Sequence, residues 1–397
     1  MNSGPPKQVI ASAGVTMPSQ PVKRAAFIYR ANNLPDIHFF TGAAEKLMHE
    51  IHNLERMGVK IEQHPADRIN IFDIYQNVYK TPTNFSVTKL PRILYIELSR
   101  NCNTWCNMCK GYSQQPEYKP EYNMDLALFK KIAKEVFPHV EEVDLRGFGE
   151  STVRDDFKQI LTFLAKFTCT FSIITNFAKK DDELWETMLQ RNYHLFLSID
   201  ASTKELGEYI RKGLDFDILT HNLQLLKTNI QKNPAIAKNI CLKMAVQKIN
   251  MSEIENILLL SSKYLIPTVE LLYVEQPGLT IAELPPEQVR KTIDSARTLA
   301  AKLDIRLILR SRRFNSNCKI IKNCTKPFDI AYINYKGWIG PCDHQMGLLV
   351  LTPYTGNLMQ DWNSFNFRLY RKLVNTPFMH AFCRNCTKPE STTTKTG

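Results

Sequence analysis

The chain has 397 residues, a net charge of +12 and an apolar content of 44%, as expected for a globular protein rather than a disordered one. No apolar run approaches the roughly 20 residues that a membrane-spanning helix needs, and residues 1–22 lack the apolar core of a signal peptide. We therefore expect a cytoplasmic protein with a disordered leader at residues 1–22. Ten cysteines in a reducing compartment favour metal ligation over disulfide bonds.

Residues 23–88 form an N-terminal extension with no chemical motif. Ala25–Tyr29 and Val59–Gln63 are predicted strands, and the apolar spacing of Gly42–Met57 predicts a helix between them. A lid, an edge extension of a sheet and a peptide-docking element all fit this pattern. The role of the extension is therefore left open.

From Arg92 onward, apolar runs of strand length alternate six times with amphipathic helical stretches. The predicted strands are Ile93–Leu98, Val143–Arg146, Phe171–Thr175, Leu195–Asp200, Cys241–Val246 and Val269–Val274. The predicted helices are Ala127–Val136, Phe157–Phe167, Asp182–Leu189, Ile218–Gln231, Ser252–Tyr264 and Pro286–Leu303. Continuous apolar strands, each followed by a helix, predict an α/β fold with a parallel sheet, a partial (β/α)6 TIM-like barrel over residues 89–310. Chemistry in such barrels lies at the carboxyl ends of the strands.

Three cysteines follow the first of these strands with the spacing C-x3-C-x2-C, at Cys102, Cys106 and Cys109. Three thiolates can hold three irons of a 4Fe–4S cube and leave the fourth iron open, whereas a four-cysteine site saturates every iron. Zinc or incidental thiols are the alternatives, but zinc needs a fourth ligand. The nearest histidines are His64 and His139, both far along the chain.

This cysteine motif resembles the signature of the radical S-adenosylmethionine superfamily. The resemblance implies that S-adenosylmethionine chelates the open iron and is cleaved to a 5′-deoxyadenosyl radical, so that the cofactors carry the difficult chemistry. It covers about residues 90–310.

Four further segments, one after each of the next strands, are similar to cofactor-binding segments of the same family. Each is weak alone, because glycines after a strand more often make a tight turn. The segment 146–151 resembles the glycine–glutamate turn that binds the amino group of the cofactor, although Ser151 stands where the family more often has Pro. For Ser198 and Arg211, a cofactor contact and a structural role are equally compatible with the sequence. The resemblance implies cofactor binding by Gly147, Gly149, Glu150, Asn176, Ser198 and Arg211.

A second set of cysteines lies in residues 311–397, around a predicted β-hairpin at Ile330–Asn334 and Trp338–Ile339. Four such thiols fit either zinc or an iron–sulfur cluster. Their spacing around Gly337 resembles the SPASM auxiliary-cluster domain in its shortened, one-cluster "twitch" form, which implies a second 4Fe–4S cluster. The candidate ligands are Cys318, Cys324, Cys342, Cys383 and Cys386, of which one is spare if only four bind.

An auxiliary cluster can accept an electron from a substrate radical, so the resemblance implies an oxidoreductase. The one-cluster spacing is similar to that of aminocyclitol alcohol dehydrogenases, which favours dehydrogenation of a sugar or aminocyclitol alcohol. Asp343, directly after Cys342, is the candidate base, with His344 as a substitute; a turn-capping role is the alternative. A maturase that modifies a ribosomally made peptide is the second hypothesis, with residues 23–88 as the docking element.

Most of the positive charge lies in the last quarter of the chain. From Arg306 onward there are 14 Lys or Arg and four Asp or Glu. Part of this charge offsets thiolate-ligated iron, and the rest indicates an anionic small-molecule substrate or merely a solvated basic face. Arg310, Arg312 and Arg313 are the candidate anion-binding residues; the alternative is that they are solvated or pair with Asp and Glu of the barrel rim. We also expect a reductant such as flavodoxin or ferredoxin; a nucleic-acid module is not favoured, because interleaved basic and aromatic repeats are missing.

Overall fold

The computed structural model describes residues 25–29, 37–41, 88–109, 117–311, 314, 324–343, 349–375, 383 and 386. In the N-terminal extension, strands β1 (Ala25–Tyr29) and β2 (Ile37–Thr41) pair antiparallel. The first matches a predicted strand, and the second was not predicted. The predicted helix Gly42–Met57 and strand Val59–Gln63 lie outside the described residues, as do Cys318, Arg312, Arg313 and His344.

The remaining strands, in chain order, are β3 Ile93–Ile96, β4 Trp105–Cys106, β5 Glu142–Asp144, β6 Thr170–Thr175, β7 His194–Ser198, β8 Arg211–Lys212, β9 Ile240–Val246, β10 Thr268–Tyr273, β11 Arg306–Leu309, β12 Ile330–Ile333, β13 Trp338–Gly340 and β14 Thr352–Pro353. The α-helices are α1 Leu126–Val136, α2 Phe157–Leu164, α3 Asp182–Gln190, α4 Lys204–Ile210, α5 Phe216–Lys232, α6 Ile254–Lys263, α7 Pro286–Lys302, α8 Lys326–Asp329, α9 Leu358–Trp362 and α10 Phe365–Leu373.

The prediction of an α/β fold with a parallel sheet is confirmed. A ten-stranded sheet has the order β11-β10-β9-β7-β6-β5-β3-β12-β13-β14, and every pair from β11 to β12 is parallel. The sheet does not close on itself, which is compatible with a partial barrel. It is longer than the six predicted strands, because β11 extends one edge and β12 extends the other.

Helices of the barrel form where an apolar stripe can pack on the sheet. In α1, the Asp125 carboxylate accepts a hydrogen bond from the Leu128 N–H at 2.9 Å, which caps the helix start. Phe129 and Ile132 on the inner face are fully buried, and Phe129 packs edge-to-face on Phe137. None of the helices in the described ranges is long and apolar enough to cross a membrane.

The predicted hairpin near the C-terminus is confirmed as β12 and β13, which pair antiparallel. Gly337 occupies the turn with φ +80°, a left-handed conformation that favours glycine. Because β12 also pairs in parallel with β3, the hairpin is part of the barrel sheet rather than a separate sheet. Residues after the hairpin contact the segment before β3: the Asn363 side chain bonds the backbone of Thr88, and the Trp362 indole N–H donates to the Lys89 carbonyl.

Candidate functional site

The cysteine loop follows β3 and is fixed at several points by its own asparagines and by a small ribbon. The Asn101 side chain donates to the Lys119 carbonyl at 2.8 Å and accepts from the Lys119 N–H at 2.8 Å. Strand β4 pairs antiparallel with β8, so that Cys106 lies opposite Arg211. The loop is thereby held against the segment that follows α4.

The thiols of this loop lie among groups that can stabilise thiolates. The Thr104 hydroxyl is 3.3 Å from the Cys102 sulfur and 3.6 Å from the Cys106 sulfur, and Arg211 Nη1 is 3.5 Å from Cys106 Sγ. Burial, with the nearby Glu150 charge, raises the pKa of the Cys102 thiol to about 12. A thiolate here therefore needs a positive partner such as iron.

The chemistry of the donor set fits an iron–sulfur cube. A 4Fe–4S cube takes one thiolate on each iron, and Cys102, Cys106 and Cys109 can supply three of them. In the described part of the chain, no three His, Cys, Asp or Glu side chains already stand at the distances of one bound metal ion.

The glycine turn predicted to bind the cofactor lies directly on the cysteine loop. A Cβ atom on Gly149 would come within 2.4 Å of the Asn101 carbonyl oxygen and 2.6 Å of the Arg100 carbonyl carbon. On Gly147 it would come within 2.4 Å of Glu97 Cγ. Glycine is required at both positions because Gly149 packs against the backbone of the cysteine loop and Gly147 packs against the side chain of Glu97.

Glu150 joins this turn to the end of β6. Its buried carboxylate accepts hydrogen bonds from the Asn176 N–H at 2.7 Å and the Thr152 hydroxyl at 2.7 Å. Burial raises the pKa of Glu150, and those hydrogen bonds oppose the rise. The Asn176 side-chain amide reaches Asn103 Oδ1 at 2.6 Å, so the predicted pair Glu150 and Asn176 lies beside the cysteine loop.

Arg211 provides a cationic side chain at the cysteine loop. It forms a buried ion pair with Asp200, with Nη2 2.7 Å from Oδ2, and its Nε has no hydrogen-bond partner among the described residues. Ser198 ends β7 in register with Lys243 of β9. The structure thus places Gly147, Gly149, Glu150, Asn176 and Arg211 around the cysteine loop, and Ser198 on the neighbouring strand end.

Four of the five candidate C-terminal cysteines, Cys324, Cys342, Cys383 and Cys386, lie in the described residues. Cys324, Cys342 and Cys383 are within electrostatic range of the buried Tyr370, and Cys386 is within range of Cys324. The Tyr370 hydroxyl is 2.8 Å from Cys383 Sγ. Burial raises the pKa of Cys383 to about 11, and again a metal would supply the charge that a thiolate needs.

The candidate base Asp343 directly follows Cys342 and is buried. It pairs with Lys326, with Nζ 2.7 Å from Oδ1. Cys324 and, in the barrel, Tyr95 and Arg146 lie within the electrostatic range of its charge. Asp343 is therefore near both the C-terminal cysteines and the barrel residues.

Several site residues were not predicted. The buried Glu97 carboxylate accepts from the Phe148 N–H at 3.0 Å and the Tyr335 N–H at 3.3 Å, which joins the glycine turn to the hairpin turn. Lys243 in β9 and Glu270 in β10 are charged residues in the middle of buried strands, only 6% and 2% exposed. A parallel strand that is buried on both faces is normally apolar throughout. A single charged residue within such a run was therefore the signal that could have identified Lys243 and Glu270 as site residues.

Arg310, predicted to bind an anion, instead places a two-pronged guanidinium contact on Glu270, at 2.9 and 3.1 Å. This is the barrel-rim ion pair that the sequence left open as the alternative.

The amino-acid sequence matches a curated protein over part of its length. No protein-family profile matches the chain. A curated relative, the tungsten-containing aldehyde ferredoxin oxidoreductase cofactor-modifying protein of Pyrococcus furiosus, is 30% identical over 113 residues. The match covers 28% of this chain and 31% of that protein, so it spans less than a third of the relative.

Solved structures match over much more of the chain. Streptococcus suis SuiB bound to precursor peptide SuiA has a TM-score of 0.56 at 14% identity, covering 86% of this chain and 88% of that one. anSMEcpe with bound AdoMet has a TM-score of 0.53 at 18% identity, covering 73% and 80%. At such identities the likeness shows a shared fold.

Proposed function

Because the chain has the fold of the radical S-adenosylmethionine enzymes, we propose that it uses S-adenosylmethionine and a 4Fe–4S cluster at Cys102, Cys106 and Cys109 to oxidise a carbon atom of its substrate. Bound there, the two cofactors supply the radical that removes a hydrogen atom. The observation that carries the proposal is the convergence of Glu150 and Arg211 on the cysteine loop. A carboxylate and a guanidinium at that loop suit the amino and carboxylate groups of S-adenosylmethionine.

The C-terminal cysteines support a second 4Fe–4S cluster as the electron acceptor. Cys324, Cys342 and Cys383 are within electrostatic range of Tyr370, and Cys386 is within range of Cys324. Four thiolates would saturate every iron of a 4Fe–4S cluster. A saturated cluster has no open iron for S-adenosylmethionine, and its remaining role is electron transfer. Ferredoxin or flavodoxin is the proposed source of the electron that starts the reaction at the first cluster.

Asp343 is the proposed base. Loss of hydrogen and then of an electron from a carbinol carbon leaves a proton on the hydroxyl, which must be removed to give the carbonyl. The Lys326 ammonium lies 2.7 Å from Oδ1 of Asp343 and holds the carboxylate in place. Tyr95 and Arg146 of the barrel lie within electrostatic range of this carboxylate, which supports its assignment to the substrate site.

A sugar or aminocyclitol alcohol is the proposed substrate class. The barrel interior offers hydrogen-bonding and aromatic groups together, with Tyr95 and Phe196 under the cationic side chains of Arg146 and Lys243. Aromatic faces and charged donors are the combination that binds polyhydroxylated rings.

Modification of a ribosomally made peptide is the second candidate. The observation that favours it is the match to SuiB bound to a precursor peptide, which extends over 86% of this chain. The antiparallel pair β1 and β2 in the N-terminal extension would then offer a strand edge for peptide docking.

The two candidates differ in the source of the abstracted hydrogen. The test is to incubate anaerobically reconstituted protein with S-adenosylmethionine, dithionite and either ring-deuterated aminocyclitols and sugars or deuterated peptides encoded beside the gene. Deuterium in 5′-deoxyadenosine together with a new carbonyl in the sugar fraction supports dehydrogenation. Deuterium transfer from a peptide alone would replace it with the maturase, and absence of any S-adenosylmethionine cleavage would overturn both.

A further inference from the structure

Five charged residues in β5, β9 and β10 and just after β5 and β11 form ion pairs with one another on the sheet. We call Asp144, Arg146, Lys243, Glu270 and Arg310 the lumen cluster. Asp144, Lys243 and Glu270 are nearly inaccessible to solvent. Burying a charge is costly unless it is paired, so a cluster of this kind in the middle of a sheet indicates that the charges serve a purpose other than stability.

The ion pairs within the lumen cluster leave one positive charge unbalanced. Arg146 pairs with Asp144, and Glu270 is shared between Lys243, at 3.4 Å, and Arg310, at 2.9 Å. Three cations of the cluster therefore face two carboxylates. The adjacent Asp343 and Lys326 neutralise each other and do not alter this balance.

Two cationic side chains of the lumen cluster lie over the ring of Phe196. The Lys243 ammonium lies 4.1 Å and the Arg146 guanidinium 5.9 Å from its centroid. Burial lowers the pKa of Lys243, and the charge of Arg146 lowers it further, against the influence of Glu270. An anion bound between the two side chains would favour the charged form of Lys243 and offset its repulsion by Arg146.

Arg146 also has an unused donor. Within the part of the chain that the structure describes, its buried Nε makes no hydrogen bond, and Oδ1 of its partner Asp144 is likewise without one. An ammonium has three donors, and Lys243 directs one of them over a relatively long distance to Glu270. Donors of both cations are thus available to a ligand in the lumen.

We propose that the substrate carries an organic anionic group, a carboxylate or a phosphate, that binds between Arg146 and Lys243 above the ring of Phe196. This inference rests on the proposed function, because it takes the lumen as the substrate site. Arg146 immediately precedes the glycine turn on the cysteine loop, and its charge interacts with Asp343. A substrate anchored at Arg146 is therefore held between the proposed radical source and the proposed base.

Calorimetric titration of the anaerobically reconstituted holoenzyme with inorganic phosphate, with succinate and with neutral myo-inositol tests the proposal. We expect saturable binding of one of the two anions, with phosphate and succinate distinguishing the two chemistries. Lys243→Met and Arg146→Gln should each weaken it by about tenfold or more, as loss of a charge-assisted contact does. Arg146→Lys, which keeps the charge, should retain more affinity than Arg146→Gln.

The control is Arg290→Gln, because Arg290 is an exposed cation paired with Glu287 on α7. It should bind the anion as the unmodified protein does. The inference would be overturned if the unmodified holoenzyme cleaved S-adenosylmethionine but bound neither anion. It would also be overturned if Lys243→Met and Arg146→Gln both bound the anion with undiminished affinity. Either result would leave the proposed function intact. Holoenzyme that binds an anion but never forms 5′-deoxyadenosine would do the reverse.

Discussion

Arg211 places its Nη1 3.5 Å from the sulfur of Cys106 while its Nη2 is held 2.7 Å from the Asp200 carboxylate. The guanidinium therefore connects a proposed cluster ligand to a fully buried acid. Hydrogen bonds to the cysteine sulfurs are among the features that set the reduction potential of an iron–sulfur cluster. Such a contact stabilises the reduced, more negative cluster.

Replacing Arg211 by Lys keeps a cation for Asp200 but removes the planar fork that reaches both groups. We expect the potential of the first cluster to become more negative, by about 59 mV for every 1.4 kcal/mol of one-electron stabilisation lost. A redox titration followed by electron paramagnetic resonance measures the shift. Lys212→Met, at the exposed neighbouring position of β8, is the control; equal potentials in both variants would show that Arg211 does not influence the cluster.

Gly149→Ala should prevent the cysteine loop from closing on the glycine turn. The new Cβ would lie 2.4 Å from a backbone oxygen of the loop, which cannot move away as a flexible side chain can. We expect the protein to lose about half of its iron, since one of two cubes would be affected. Gly278→Ala strains the backbone through its φ of +82° but meets no atom within 4 Å, so that variant should keep its full iron content. Iron and sulfide analysis of both variants compares them; full iron in Gly149→Ala would contradict the contact.

Reconstituted protein should hold about eight irons and eight sulfides, as two 4Fe–4S clusters require. Replacing Cys102, Cys106 and Cys109 by Ala should leave one cluster and abolish 5′-deoxyadenosine formation. Metal analysis and chromatography of the nucleoside product measure the two results. Zinc in the triple variant would refute the auxiliary cluster, and continued cleavage would refute the first site.

Cys342→Ala or Cys386→Ala should separate cleavage of S-adenosylmethionine from product formation. The first cluster lies on a different loop, so 5′-deoxyadenosine should still form, but the substrate radical would have no acceptor for its second electron. The ratio of oxidised product to 5′-deoxyadenosine is the measurement. A ratio equal to that of the unmodified protein would mean that the second site is purely structural.

Asp343→Asn should lower the rate of product formation by roughly 10²–10⁴-fold, the usual contribution of a general base. The amide keeps the size of the side chain but cannot take a proton. Asp329→Asn is the matched control, because Asp329 is a half-exposed acid on the neighbouring helix α8 that pairs with Arg92. Similar rates for the two variants would assign Asp343 to its ion pair with Lys326 alone.

The sequence predicts the barrel well because its strands are buried on both faces. Runs such as Cys241–Val246 are continuously apolar apart from one residue, and the structure forms β9 over Ile240–Val246. Strand ends differ from the prediction by one or two residues at β5, which the structure forms over Glu142–Asp144 and the sequence predicts over Val143–Arg146.

Other features depend on contacts between distant segments and were not predictable. Strand β12 joins β3, and nothing local in Ile330–Ile333 specifies that partner. The sequence shows Lys243 and Glu270 only as single charges in two separate apolar strands. They form an ion pair because β9 and β10 are neighbours and place the two residues opposite each other. The cysteine motif was recognisable because its ligands are adjacent in sequence, whereas the contact between Arg211 and Cys106 needs β8 to meet β4.

The parallel pairing of β3 with β12 also constrains how the chain folds during synthesis. Arg92 and Asp329, 237 positions apart, pair at the start of these strands. Until the ribosome has released the residues that form β12, the edge of the first barrel strand has unpaired backbone groups that can recruit other chains. Pairings of such long range form slowly. The edge of β3 is therefore open to wrong pairing until β12 has been synthesised, and pairing with β12 closes that edge.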